Sequence, residues 1–530
     1  MNARARLFVY LALGIAAVAV TQAQGRGGQN WNTTGADAQR TGWLRTETRI
    51  STETMAAKGA DAFQFLWKVK PENQPRQLNT LTQPLILGTL ISHKGFKSLT
   101  FLGGSGDVVY AYDYDLGKVY WSQKLNTAAS GQAGTPLCPG GLTAITRATP
   151  LAQSAIPVRG APPVTPGGGR GPATGINPAN LPITGAIWAI SSGGMVHALN
   201  PHTGADLRTP VRIVPAGAKV VGSVLVNDVL YAATSDACGG APNGVYALDV
   251  SGEGTAATAR KWETGGATIA GSAGPTLGLN NVLYVATGAG SGQYVHAVVA
   301  IDPKTMAAQD WFTAGAPLTS SPVAFNSSGR DLVAVAARDG RLYVLDGKTP
   351  GGADHKTPLA ASAVYTSGND LNAGTIATWQ DADGVRWLAV ASPGPVASTA
   401  TFAANNGAIT NGTIAAFRLN STTGSFTLEP AWTSRDLTSP APPIVLNDVV
   451  FALSTGAARG DAQMAAAQRL ERSTPAALYA LDAKTGKDLW NSGRTITASV
   501  QGIGPSGQDG QVYVVAADGT LYAFGIPLEH

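Results

Sequence analysis

The sequence predicts an all-β chain forming a single eight-bladed β-propeller of four-stranded antiparallel blades, closed by an N-terminal strand that completes the last blade. Three observations predict it. A short pattern recurs eight times. The composition is rich in turn formers and poor in charge, and an unpaired strand pattern near the N-terminus matches a gap at the C-terminus.

The repeat reads apolar-Tyr-Ala-Leu-Asp, then a Thr-Gly turn, then Trp. Its clearest copy runs from Leu478 through Tyr479, Asp482, Thr485 and Gly486 to Trp490. Others begin at Val109, Val196, Val245, Val298, Leu342, Ile414 and Leu521. The second positions, Tyr110, His197, Tyr246, Val299, Tyr343, Ala415, Tyr479 and Tyr522, lie 87, 49, 53, 44, 72, 64 and 43 residues apart. A four-stranded blade needs roughly 40 to 50 residues, so the longer steps read as blades with insertions. Blade five shows the grammar: Ser321 to Ala324, Asp331 to Ala336 and Leu342 to Asp346 are strands, with an Arg338-Asp339-Gly340 turn between the last two.

The last copy ends at Phe524-Gly525, too close to His530 for a fourth strand. Phe65-Leu66-Trp67-Lys68-Val69 supplies the missing one, with Trp67 in the place of Trp490. Pairing the two ends leaves no unpaired edge.

The composition agrees. Charged residues are 13% of the chain, against a usual quarter or so. Gly (65) and Pro (32) make up nearly a fifth, as many short strands and tight turns require. The formal charge is +4, or +2 once Arg4 and Arg6 of a leader are subtracted. Lys and Arg form no cluster, so neither nucleic acid nor an anionic membrane is an expected partner.

Those two arginines precede an apolar run from Leu7 to Val20 and the small residues around Ala23, the layout of a secretory signal peptide over residues 1–23. The run is shorter than the roughly 20 residues of a membrane span. The first Cys is Cys138, so the Cys that lipid anchoring needs after the cleavage site is missing. The expectation is a periplasmic or secreted protein with no membrane anchor. It divides into a lead-in over 24–62 and the propeller over 63–530, with a Pro/Gly-rich insertion at 156–182 that reads as a spacer or a lid.

Cys138 and Cys238 are the only cysteines, and in an oxidising compartment two thiols are expected to pair. Cys138 precedes the inner strand of blade two and Cys238 lies in a blade-three loop on the same face, so a Cys138–Cys238 disulfide is predicted. No CxxC, GxSxG or HExxH is present, which removes zinc ribbons, covalent haem, the nucleophile elbow and zincin chemistry. His93, His197, His202, His296 and His355 are scattered, and His197 takes a packing position of the repeat. Gly288 to Gly292 joins two strands and opens no helix, so it reads as a hairpin and not a phosphate loop.

The repeat resembles the signature of the pyrroloquinoline-quinone (PQQ) repeat superfamily over nearly the whole chain, and Trp31 to Gly42 is similar to the lead-in of its exported members. That resemblance implies the propeller fold. It leaves two activities open, because the superfamily holds quinone-dependent dehydrogenases and also assembly scaffolds that bind no quinone. In its dehydrogenases the quinone stacks on a Trp, and often on a vicinal disulfide, while calcium polarises it and an Asp acts as base. This chain has no adjacent cysteines and no haem domain, so electrons would leave to an external acceptor.

Within the repeat, Trp67, Trp121, Trp262, Trp311, Trp432 and Trp490 read as packing between blades. Asp113, Asp249, Asp302, Asp346 and Asp482 read as acceptors for turn amides. Loops between second and third strands share one face with the blade-to-blade connections. Four of them are long: from Ser235 to Pro242, Gly288 to Tyr294, Pro393 to Gly412, and Gly456 to Thr474. Long loops gathered on one face of a repeat protein mark the binding side. Asp236, Arg338 and Asp339 are the candidate ligand-face residues, able to supply a base, a cation or a metal ligand. No catalytic residue and no metal site is assigned. The expected activity is that of a scaffold binding a small molecule or a periplasmic protein; the alternative is a soluble PQQ- and calcium-dependent dehydrogenase of alcohols or sugars.

Overall fold

The computed structural model describes residues 30–527 apart from 48, 60–61, 74–80, 93–94, 126–134, 136, 142–143, 150–184, 253–257, 368–372, 423 and 460–463. The expected signal peptide and the 156–182 insertion lie outside the described residues. Eight antiparallel sheets form the ring. Blades one to seven span 85–124, 144–212, 219–263, 276–313, 323–361, 377–433 and 444–491, and blade eight joins 506–525 to Gln64–Val69.

Closure takes the expected form. Gln64–Val69 runs antiparallel to Leu521–Gly525, with Trp67 opposite Ala523 and Lys68 opposite Tyr522. Two short strands go beyond the repeat grammar. Ala404–Asn405 adds a parallel edge to blade six, and Trp43–Leu44 adds one to the inner strand of blade seven.

The core lies between blades. One apolar cluster joins blades seven, eight and one, and six more bridge successive pairs, each blade presenting alternate residues to its two neighbours. The repeat residues explain why blades stack in register. Trp121 donates its indole N–H to Pro201 O at 2.8 Å, Trp67 to Tyr114 O at 3.2 Å and Trp432 to Ala483 O at 3.0 Å. Each acceptor directly follows the motif Asp or Asn of the next blade. Three residues further on, the motif glycine, with positive φ, leaves room for the indole face: a Cβ on Gly204 would lie 2.7 Å from Trp121 Cε3. So the Trp of one blade docks on the Thr-Gly turn of the next. All five motif aspartates accept turn amides, as Asp482 does from Lys484 N and Thr485 N.

The lead-in does more than precede the ring. Its residues line the inside of the channel and bond to every blade in sequence order. Trp31 O accepts from Ile86 N in blade one, and Asn32 O accepts from Arg147 N, just past the inner strand of blade two. Thr33 Oγ1 donates to Ser223 O in blade three. Ala38, Gln39, Thr41 and Gly42 offer their carbonyls to Leu277, Ala324, Thr378 and Val445 of blades four to seven. Glu47 Oε2 takes Gly510 N of blade eight at 3.1 Å. Leu277, Val445 and Gly510 border first-to-second turns, so the lead-in winds at the end of the channel opposite the long loops.

Arg40 anchors this winding. It is fully buried, and donates from Nε and Nη2 to Pro275 O, from Nη2 to Ser223 O, and from Nη1 to Thr33 Oγ1 and Thr34 O. Burial pulls its guanidinium down to about 9, with Asp37 acting in the opposite sense.

Candidate functional site: a cup at the loop face of the channel

With one end occupied by the lead-in, the channel is a cup open toward the long loops. Its volume is about 510 Å³. Thr34 of the lead-in contributes to the floor, and the walls include Gly222 and Ser223 of the inner strand of blade three and Thr268 and Gly271 of the segment leading into blade four. Gly222 is required by a close approach, since a Cβ there would run into the Ala273 carbonyl of the next blade.

Asp236 and Arg338 both line the cup, together with Lys219. Lys219 opens the inner strand of blade three, opposite Ser235 in the ladder. Asp236 follows at the end of the second strand with φ of +63°, which brings its carboxylate within 2.6 Å of Lys219 Nζ. Arg338 begins the turn after Arg330–Ala336 in blade five; its backbone N donates to Pro317 O at 2.8 Å and its side chain is exposed. Its charge and, more strongly, burial hold His296 below its ordinary range.

Asp339 is not among the residues lining the cup. It accepts from Arg341 N at 3.1 Å and from the Tyr343 hydroxyl, tying its turn to the following strand. Lys219 and the lead-in's Thr34 belong to the cup and were not read as site residues. Lys219 carried no motif, and the floor comes from a segment far away in sequence.

The disulfide predicted between Cys138 and Cys238 is present, with Cα atoms 5.6 Å apart. It fastens the connection between blades one and two to the rim loop of blade three, two residues from Asp236. Of the four long loops, those of blades three and four reach the cup through Asp236, Gly288 and Ala289. The blade-six and blade-seven loops meet where Arg459 donates to Asn411 O, and Asp436, in the connection between these blades, accepts from Thr410 N and Asn411 N of the blade-six loop.

The lining has a distinct chemistry. Among the described residues it carries two cations, one carboxylate committed to one of them, several hydroxyls and no aromatic ring. Among the described residues no group of three or more His, Cys, Asp or Glu is arranged to hold a metal ion.

A family profile described as outer membrane protein assembly factor BamB matches residues 411–526. No curated protein sequence is similar to the chain. Among solved structures, the fold resembles a europium-containing methanol dehydrogenase, at TM-score 0.57 and 12% identity, covering 94% of this chain and 98% of that one. It also resembles a quinohemoprotein alcohol dehydrogenase from Comamonas testosteroni, at TM-score 0.53 and 14% identity, covering 95% and 81%. At these identities the likeness is one of fold.

Proposed function

From the premise that this chain is a β-propeller of PQQ-type repeats, we propose that it is an exported binding scaffold, holding a small molecule or a periplasmic protein on the face that carries the long loops. One observation carries the reading. The cup on the ring axis is lined for polar recognition and not for quinone chemistry.

A quinone cofactor of the dehydrogenase type needs a flat aromatic platform, and its calcium needs six to eight oxygen ligands, typically several of them carboxylates. The described lining offers neither. It has no Trp, Tyr or Phe, and its single carboxylate, Asp236, is held by Lys219. The disulfide joins cysteines 100 residues apart, so it is no vicinal platform. The described lining does not fit the group. The dehydrogenase reading keeps one support, the fold likeness over 94–95% of the chain.

The test is reconstitution of the purified protein with PQQ and calcium, followed by absorption titration and a dye-coupled panel of alcohols and sugars. The expected result is no saturable quinone binding at micromolar concentrations and no dye reduction. Stoichiometric binding with substrate-dependent dye reduction overturns the scaffold reading.

A further inference from the structure

The geometry points to a second binding site, for a small tetrahedral oxyanion of the phosphate or sulfate type, at the closed end of the channel between Arg45 and Arg386. It shares no residue with the cup, so either assignment can fail without the other.

Trp43 sits at the centre. It lies in the lead-in strand that pairs in parallel with the inner strand of blade seven. Two guanidinium groups lie over its ring, Arg45 Cζ at 4.6 Å from the centroid and Arg386 Cζ at 6.0 Å. Arg386 opens the second strand of blade six and lies 5.5 Å from the Phe325 ring of blade five. Arg45 is exposed, which gives the site an approach from solvent.

Arg386 is only 3% exposed, yet its guanidinium is half used. Nη2 donates to Asn326 O at 2.8 Å. Nε and Nη1 are buried without an acceptor, and so is the indole Nε1 of Trp43. Nε, Nη1 and Nε1 are all donors. Buried donors are normally satisfied, and an isolated buried charge is costlier still. Arg40 shows the normal outcome within the same molecule, with Nε, Nη1 and Nη2 all bonded to oxygen.

The surrounding charge makes the deficit one of sign as well as of hydrogen bonds. The charged neighbour acting on Arg386 is Arg45, another cation, which adds to burial in depressing its guanidinium to about 9. Asp37 offsets Arg45, but both of its oxygens are engaged by Thr41. Among the described residues, no carboxylate forms an ion pair with either arginine. A ligand that satisfies the unused donors of Arg386 beside a second cation must accept hydrogen bonds, carry negative charge and be small. Two guanidiniums over one indole ring, one of them with two unused buried donors, match an anion with several equivalent oxygens.

The experiment uses the full exported chain, titrated by calorimetry and thermal unfolding with sodium phosphate, sulfate and acetate against chloride at matched ionic strength. The expected result is saturable binding of phosphate or sulfate, with a rise in unfolding temperature that follows occupancy. Arg45→Ala is expected to weaken binding by about ten-fold or more, the loss of one charge-assisted contact. Arg386→Met is expected to abolish the phosphate response while unfolding in chloride at or above the wild-type temperature. No saturable binding to wild type, or an affinity unchanged in Arg45→Ala, overturns the site; Arg45 is exposed, so that variant decides even if Arg386→Met does not fold. Acetate binding as tightly as phosphate overturns the tetrahedral assignment.

Discussion

Replacing Arg40 by methionine tests how the lead-in is held. The side chain makes five hydrogen bonds, all inside the molecule, and methionine keeps most of the stem volume while deleting every donor. The carbonyls respond differently. Ser223 O keeps the Thr33 hydroxyl at 2.7 Å, and Thr34, which lines the cup, can turn to water. Pro275 O loses both of the donors that Arg40 supplies to it. An orphaned buried acceptor costs about 1–3 kcal/mol, and each lost hydrogen bond to a charged group contributes a further 1.5–3 kcal/mol before compensation. Relief of the buried charge returns part of this, leaving a net loss of about 3 kcal/mol. Guanidinium unfolding at constant pH reads it as a fall in midpoint at unchanged slope. Arg386→Met in chloride is the internal control. It removes an equally buried guanidinium with one bond in place of five, and is expected to be at least as stable as wild type. Equal losses in the two variants, or an unchanged midpoint for Arg40→Met, refute the reasoning.

Gly204→Ala is expected to cost about 2–5 kcal/mol, summing about 1–2 for a left-handed alanine and about 1–3 for forcing Trp121 off its turn. Gly519→Ala, also at positive φ but with nothing within 4 Å of the added carbon, is expected to cost only the first of these, and comparable losses in the two would discount the docking. His296 is held below its usual 6.5, so the unfolded chain takes up the proton first and the group's contribution to stability is lost as pH falls below about 6.5. Titration followed by NMR should find the His296 midpoint below the ordinary value and moved upward in Arg338→Gln; a midpoint that ignores Arg338 removes that charge from the account.

Much of the ring was legible because its determinants are local and repeated. The Trp, the Asp and the Thr-Gly turn recur with fixed spacing, so the well-preserved copy around Trp490 identifies weaker ones such as that at Ile414. The pairing of Trp67's strand with Tyr522's followed from counting strands. The disulfide followed from placing two loops on one face. The lead-in was not legible as an internal winding. It bonds through backbone carbonyls, which carry no side-chain signature, and its buried Asp37 and Arg40 look in sequence like solvent charges. The same holds for the cup, whose floor and cations come from segments far apart in the chain. Asp339 and Arg338 are adjacent in one turn, and only the fold distinguishes the residue on the cup from the one bonded to Tyr343.

The winding of the lead-in also bears on how such a ring is counted and when it is finished. Seventeen residues, Trp31 to Glu47, call at blades one to eight in order, and the same thread returns to blade eight at its start, where Trp31 N meets Gln508 across a separation of 477 residues. Contacts so distant in sequence form late and slow the search for the native state. A segment that precedes every blade in the chain thus has to wait for the last blade before its bonds can all close. A ring with one blade too few or too many would leave carbonyls of the thread facing nothing, so the thread works as a gauge that accepts only the complete set.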